Sequence, residues 1–170
     1  MKNLKENLTL SEAVIRVDFS EKYALKYAEE IQSLHFGGSR QQTSLHTSVI
    51  YTQHFSVGAI QPVSVCTISR CIRHDVAATW AHLIPLIQRA LDINPFNTTI
   101  HFLTDSPVSQ YRNKYMFYII TTIQNDFDFI SRITWNYTEA GHGKGAPDGV
   151  GAVLKRTADK MVSYGRDIGN

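Results

Sequence analysis

The order of hydrophobic periods is what most constrains this chain. Three strand-like stretches come first, and helices and strands alternate after them. Residues 13–19 (AVIRVDF), 44–52 (SLHTSVIYT) and 58–69 (GAIQPVSVCTIS) are apolar and mostly β-branched, which suits strands. The second and third are predicted to pair antiparallel. Pro62 marks the third as an edge strand or a bulge, because proline offers no N–H to a ladder. Between the first two stretches, residues 21–34 are rich in Ala, Glu and Lys and read as helical until Gly37 and Gly38 break the chain.

From residue 75 the period lengthens. Val76, Trp80, Leu83, Ile84, Ile87 and Leu91 form a helical stripe, with a kink or break expected at Pro85. Residues 97–105 (NTTIHFLTD) read as a strand. A helix is predicted over 107–125, with Pro107 in its first turn and Val108, Tyr111, Tyr115, Ile119 and Ile123 on its apolar face. Residues 129–138 read as the last strand. A glycine-rich loop over 141–145 then leads to a final helix, about 147–164, with Val150, Val153, Leu154 and Met161 as its apolar positions. This order predicts an α/β fold: a mixed five-stranded sheet flanked by helices, its first three strands antiparallel and its fourth and fifth placed alongside the first.

A chain of 170 residues, 43% apolar and 19% charged, suits one globular domain spanning 1–170, with residues 1–12 expected to be flexible. No apolar run approaches the length of a membrane span, and the first residues lack the apolar stretch of a signal peptide. The protein is therefore expected inside the cell, in the nucleus if it acts on DNA, and not secreted or in a membrane. Cys66 and Cys71 fit a reducing compartment. A net charge of +2 does not argue for nucleic-acid binding by itself, so any DNA contact must come from a local patch.

Three acids occupy special places in this layout. Asp18 and Asp105 each end a predicted strand, and Asp148 starts the last helix. In a sheet with parallel central strands, carboxyl ends of neighbouring strands share one rim, and a helix N-terminus can deliver a third acid to it. Three carboxylates there repel one another unless cations neutralise them. Hard divalent ions with oxygen ligands do so, Mg²⁺ typically through a few carboxylates plus substrate phosphates; paired ions support phosphodiester cleavage and strand transfer. Taken singly, each acid also has a structural reading: Asp105 as a helix cap, Asp148 as an acid favoured by the helix dipole, Asp18 as a strand terminator.

The stretches Val17-Asp-Phe-Ser20, Leu103-Thr-Asp-Ser106 with Gln110-Tyr-Arg-Asn-Lys114, and Glu139-Ala-Gly-His-Gly-Lys-Gly-Ala-Pro-Asp-Gly149 resemble uncharacterised eukaryotic transposon-derived proteins. Those in turn resemble DDE/DDD transposase cores of the ribonuclease-H-like superfamily, whose element order is the one predicted here. The resemblance implies a metal-dependent DNA nuclease or strand transferase using Mg²⁺ or Mn²⁺, with Asp18, Asp105 and Asp148 as the acidic triad. Glu139 competes for the third position, because many such cores place Glu there. No zinc finger or helix-turn-helix precedes the core, so a fragment, a truncated copy or a domesticated gene is expected, with any homo-oligomer forming through regions outside these residues. The alternatives are a ribonuclease H or resolvase-type nuclease and, in a different class, an inactive domesticated module that binds DNA or protein.

Asp75 is a candidate fourth metal ligand, or simply an acid at a helix start. In the glycine loop, His142 is a candidate proton relay and Lys144 a candidate phosphate contact. Gln110, Arg112 and Lys114 are candidate nucleic-acid contacts, with a solvated helix face as the equal alternative. Residues 141–145 lack the spacing and the Ser or Thr of a P-loop. Cys66, Cys71 and His74 lack a fourth ligand for zinc.

Overall fold

A computed structural model describes residues 7–29, 40–105, 107–138 and 145–168. Five strands form one sheet: β1 (Glu12–Ala24), β2 (Gln42–Gln53), β3 (Ile60–Ser69), β4 (Thr99–Thr104) and β5 (Arg132–Tyr137). Three α-helices flank it: α1 (Val76–Ile93), α2 (Lys114–Thr122) and α3 (Ala146–Ser163). The strand order is β3-β2-β1-β4-β5. β1 pairs antiparallel with β2, and β2 with β3. β4 runs parallel to β1, and β5 parallel to β4. The mixed sheet, the opening meander and the place of the fourth and fifth strands all follow the expected order. Pro62 indeed lies on an edge strand, where its missing N–H breaks no second ladder.

Alternation along β1 assigns the two faces. Ala13, Ile15 and Val17 join Leu83, Leu86, Ile87, Ala90 and Ile93 of α1, together with Ile100, Phe102, Tyr111, Ile123 and Ile130, in the main core. Arg16 and Ser20 point to the other face, where α3 lies. The result is a helix–sheet–helix sandwich. A smaller cluster of Tyr23, Leu25 and Leu45 packs against Leu154 and Ala158 of α3.

Several local expectations are corrected. The predicted helix over 21–34 begins as strand: β1 continues to Ala24, pairing Tyr23 with Thr43 across a register shift. Ladder bonds to β2 and burial of Tyr23 and Leu25 outweigh the modest helix preference of Ala, Glu and Lys. Residues 30–39 lie outside the described ones. Among the described residues of 1–12, Leu8 is buried and its carbonyl accepts a bond from the Gln53 side-chain amide. Helix α1 passes through Pro85 without interruption, and Pro85 is exposed, so water can take up the carbonyl that its ring leaves without a donor. The buried stripe of α1 runs Thr79, His82, Leu83, Leu86, Ile87, Ala90, Ile93, and Ile84 turns outward.

The helix predicted from residue 107 begins only at Lys114, where the Asn113 side chain accepts from the N–H groups of Tyr115 and Met116. Residues 108–113 form turns in which the N–H groups of Gln110, Tyr111 and Arg112 all point at the Pro107 carbonyl. That arrangement buries Tyr111 completely. It shifts the inward phase of α2 to Met116, leaving Val108 and Tyr115 exposed. On α3 the expected core position Val153 is likewise exposed, and Pro147 and Gly151 are buried instead.

Candidate acidic site

The parallel register of β1 and β4 builds the site. Arg16 pairs with Leu103, and two residues further along both chains stand Asp18 and Asp105. Alternation puts them on one face, the face of α3. The pairing with β4 stops at Arg16 while β1 runs on to Ala24 beside β2. Asp18 therefore does not end its strand, as expected, but stands where its neighbour β4 departs. Its backbone carbonyl accepts the Thr47 hydroxyl at 3.1 Å.

α3 delivers the third acid. Asp148 is in its first turn, and Oδ2 accepts the Gly145 N–H at 2.6 Å. Close packing explains the glycines there. A Cβ on Gly145 would lie 2.2 Å from the Arg16 guanidinium, and one on Gly151 would lie 2.8 Å from Ser20 Oγ. The α3 backbone rests directly on the side chains that flank Asp18 in β1.

The electrostatics tie the three acids together. Burial first, then Asp105 and Asp148, push the Asp18 carboxyl up to about 6, against the pull of the Phe19 N–H and Arg16. Burial and Asp148 raise Asp105. Asp105 Oδ1 is buried with no hydrogen-bond partner, an acceptor that costs free energy in this state. Among the described residues, no group of three or more His, Cys, Asp or Glu side chains is arranged to hold a metal ion. The donor chemistry nonetheless suits a hard divalent cation: oxygen ligands, clustered negative charge and an orphaned carboxylate oxygen.

A buried tie lies on the opposite face. Tyr111 is fully buried, and its hydroxyl meets His46 Nε2 at 2.9 Å. Burial lifts the Tyr111 phenol well above its ordinary range, helped by the charges of Asp18 and Asp105. Burial, with His82 and His74, pushes His46 down to about 3. Both groups are therefore neutral, and the imidazole tautomer sets which of them donates in the bond between them. Tyr137 donates its hydroxyl to the Tyr111 carbonyl at 3.1 Å, tying the end of β5 to the turn that follows Asp105.

The remaining candidates fall in different places. Asp75 caps α1 by accepting from the Ala78 N–H, and Arg73 lies 3.4 Å from its carboxylate. It is not among the charges acting on Asp18 or Asp105. Arg112 sits 5.7 Å over the Tyr137 ring and Lys114 5.1 Å over the Tyr115 ring. Gln110 lies in the turn at Pro107. Glu139, His142 and Lys144 lie outside the described residues. Cys66 and Cys71 are both free thiols.

Two site residues escaped the sequence reading. Arg16 is only 8% exposed and stands two positions from Asp18 on the same face; period-two alternation was the available signal. Tyr111 was assigned to an apolar stripe, and no local signal reveals its polar partner 65 residues away.

No helix among the described residues is long and apolar enough to cross a membrane. No curated protein matches the sequence. The family model described as a domain of unknown function (DUF8701) matches residues 1–167, and the chain belongs to that family.

Proposed function

We propose that the protein is a metal-dependent DNA nuclease or strand transferase with a ribonuclease-H-like sheet, of the kind found in transposase cores. Asp18, Asp105 and Asp148 would hold Mg²⁺ or Mn²⁺. The observation that carries the reading is the parallel pairing of β1 and β4 up to Arg16 and Leu103, which brings Asp18 on β1 and Asp105, just past the end of β4, into one another's field and that of Asp148. A bound divalent ion supplies charge stabilisation for phosphodiester cleavage.

The chain's own groups have distinct parts in this proposal. The two strand carboxylates sit in a half-buried setting where their negative charge is strongly felt. Asp148 is held by its own helix start, which fixes the direction of its carboxylate. Arg16 lies beneath that helix start and offsets part of the acidic charge from below. The Tyr111–His46 bond holds the turn after Asp105 against the core. A DNA substrate would place the protein in the nucleus.

The test is Mn²⁺-dependent nicking of supercoiled plasmid, with an RNA–DNA hybrid as a second substrate. Nicking that disappears in both Asp18→Asn and Asp105→Asn supports the proposal. Cleavage of the hybrid alone would replace it with the ribonuclease H reading. Nicking that survives in both folded variants, or is absent from the parent, would overturn it.

A further inference from the structure

Helix α2 is amphipathic in an unusual sense: its outward side is aromatic. Tyr115 is 64% exposed, Tyr118 69% and Phe117 46%. Tyr115 and Tyr118 are three residues apart, so their rings share one side of the helix. Large aromatic side chains left this open on a chain with a well-filled core call for a partner.

Charge narrows the kind of partner. Residues 107–125 contain Arg112 and Lys114 and no acidic side chain, and the acid that shares the surface beside Tyr115, Asp75, stands 3.4 Å from the Arg73 guanidinium. Both cations are laid over aromatic rings, Lys114 over Tyr115 and Arg112 over Tyr137. Cations beside exposed aromatic rings suit a polymer that alternates phosphates with stackable rings. Single-stranded nucleic acid has that composition, and proteins grip it through a cationic groove combined with base stacking. A duplex hides its base faces and offers such a surface only phosphates.

The surface follows the acidic site in the chain. Asp105 leads into the turn that carries Arg112, and Arg112 lies over Tyr137, whose hydroxyl donates to the Tyr111 carbonyl of that turn. We infer that the aromatic and cationic side of α2, formed by Tyr115, Tyr118, Lys114 and Arg112, binds an unpaired stretch of DNA next to the bond that the acidic site addresses. The position of the cleaved bond rests on the proposed nuclease reading; the binding surface itself can be tested without chemistry.

The experiment measures fluorescence anisotropy of a labelled 15-nucleotide oligo(dT) and of a 15-base-pair duplex. It uses the full chain in EDTA, where no divalent ion is present. The single strand should bind more tightly than the duplex, with affinity falling as salt rises. Tyr115→Ala and Tyr118→Ala should each weaken oligo(dT) binding about tenfold, the scale of one lost stacking contact. Tyr118→Trp should retain binding, which separates stacking from the hydroxyl. Both tyrosines are exposed, so melting temperatures of the variants should match the parent. Absence of oligo(dT) binding, equal affinity for duplex, or unchanged affinity in the Tyr115→Ala/Tyr118→Ala double variant would overturn the inference. So would sedimentation showing that these substitutions instead abolish association between protein chains. Tyrosine-dependent binding without plasmid nicking would sink the nuclease reading and leave this surface standing. Nicking with tyrosine-independent binding would do the reverse.

Discussion

Removing the charge of Asp18 should stabilise this protein when no divalent ion is present, the opposite of what substituting a half-buried side chain normally does. The folded-state carboxyl stands at about 6 against an ordinary 3.8. A folded value raised above the unfolded one means that ionisation opposes folding. The cost is absent below pH about 4, grows as pH rises towards 6, and is complete above it. The difference amounts to ~3 kcal/mol at about 1.36 kcal/mol for each pH unit. Asp18 is not fully buried, so solvent screening cuts this to roughly 1–2 kcal/mol. Asp18→Asn keeps the shape and removes the charge. In EDTA at pH 7.5 it should raise the melting temperature by roughly 3–6 °C for a domain of this size. At pH 4 parent and variant should melt together. Saturating Mn²⁺ should reverse the ranking, because an ion at 100 times its dissociation constant adds about 2.7 kcal/mol to the parent and nothing to the variant. Thermal melts followed by circular dichroism at both pH values, with and without Mn²⁺, decide the matter. Equal gains at pH 4 and pH 7.5, or no gain at pH 7.5, would refute the electrostatic reasoning.

Further outcomes follow from the same geometry. Gly145→Ala places a methyl group 2.2 Å from the Arg16 guanidinium and should cost about 1–3 kcal/mol as the two are forced apart. Arg16→Ala in the same chain should recover most of that, as read by urea denaturation; a Gly145→Ala protein as stable as the parent would show that the contact is not close. Asp75→Ala should lose about 1 kcal/mol with its cap and keep the full thermal gain from Mn²⁺, whereas loss of that gain would make Asp75 a ligand. Asp148→Ala should abolish Mn²⁺-dependent nicking and Glu139→Gln should leave a measurable part of it, and the reverse order between folded variants would transfer the third position to Glu139.

The sequence alone determined much about the fold. Period-two β-branched stretches followed by alternating helix and strand periods are local signals, and they specified a mixed five-stranded sheet with its first three strands antiparallel. Pro62 marked an edge because a missing N–H is intolerable between two partners. The acids at 18, 105 and 148 stood out because glycine, proline and strand ends fall beside them. Tertiary structure decided what those signals do not encode. Residues 21–24 are strand because β2 offers them ladder bonds and α3 covers Tyr23, although their own preference is helical. The turn at 108–113 exists because it buries Tyr111 in the main core against Phe19 and His46, and that burial delays the helix to Asn113 and turns Tyr115 and Tyr118 outward. The approach of Asp18 to Asp105, and the passage of Arg16 under Gly145, depend on how strands far apart in sequence align. Propensity acts within a few residues, whereas register and close backbone contact are set by packing the whole sheet against both helical layers, so only the folded chain could show them.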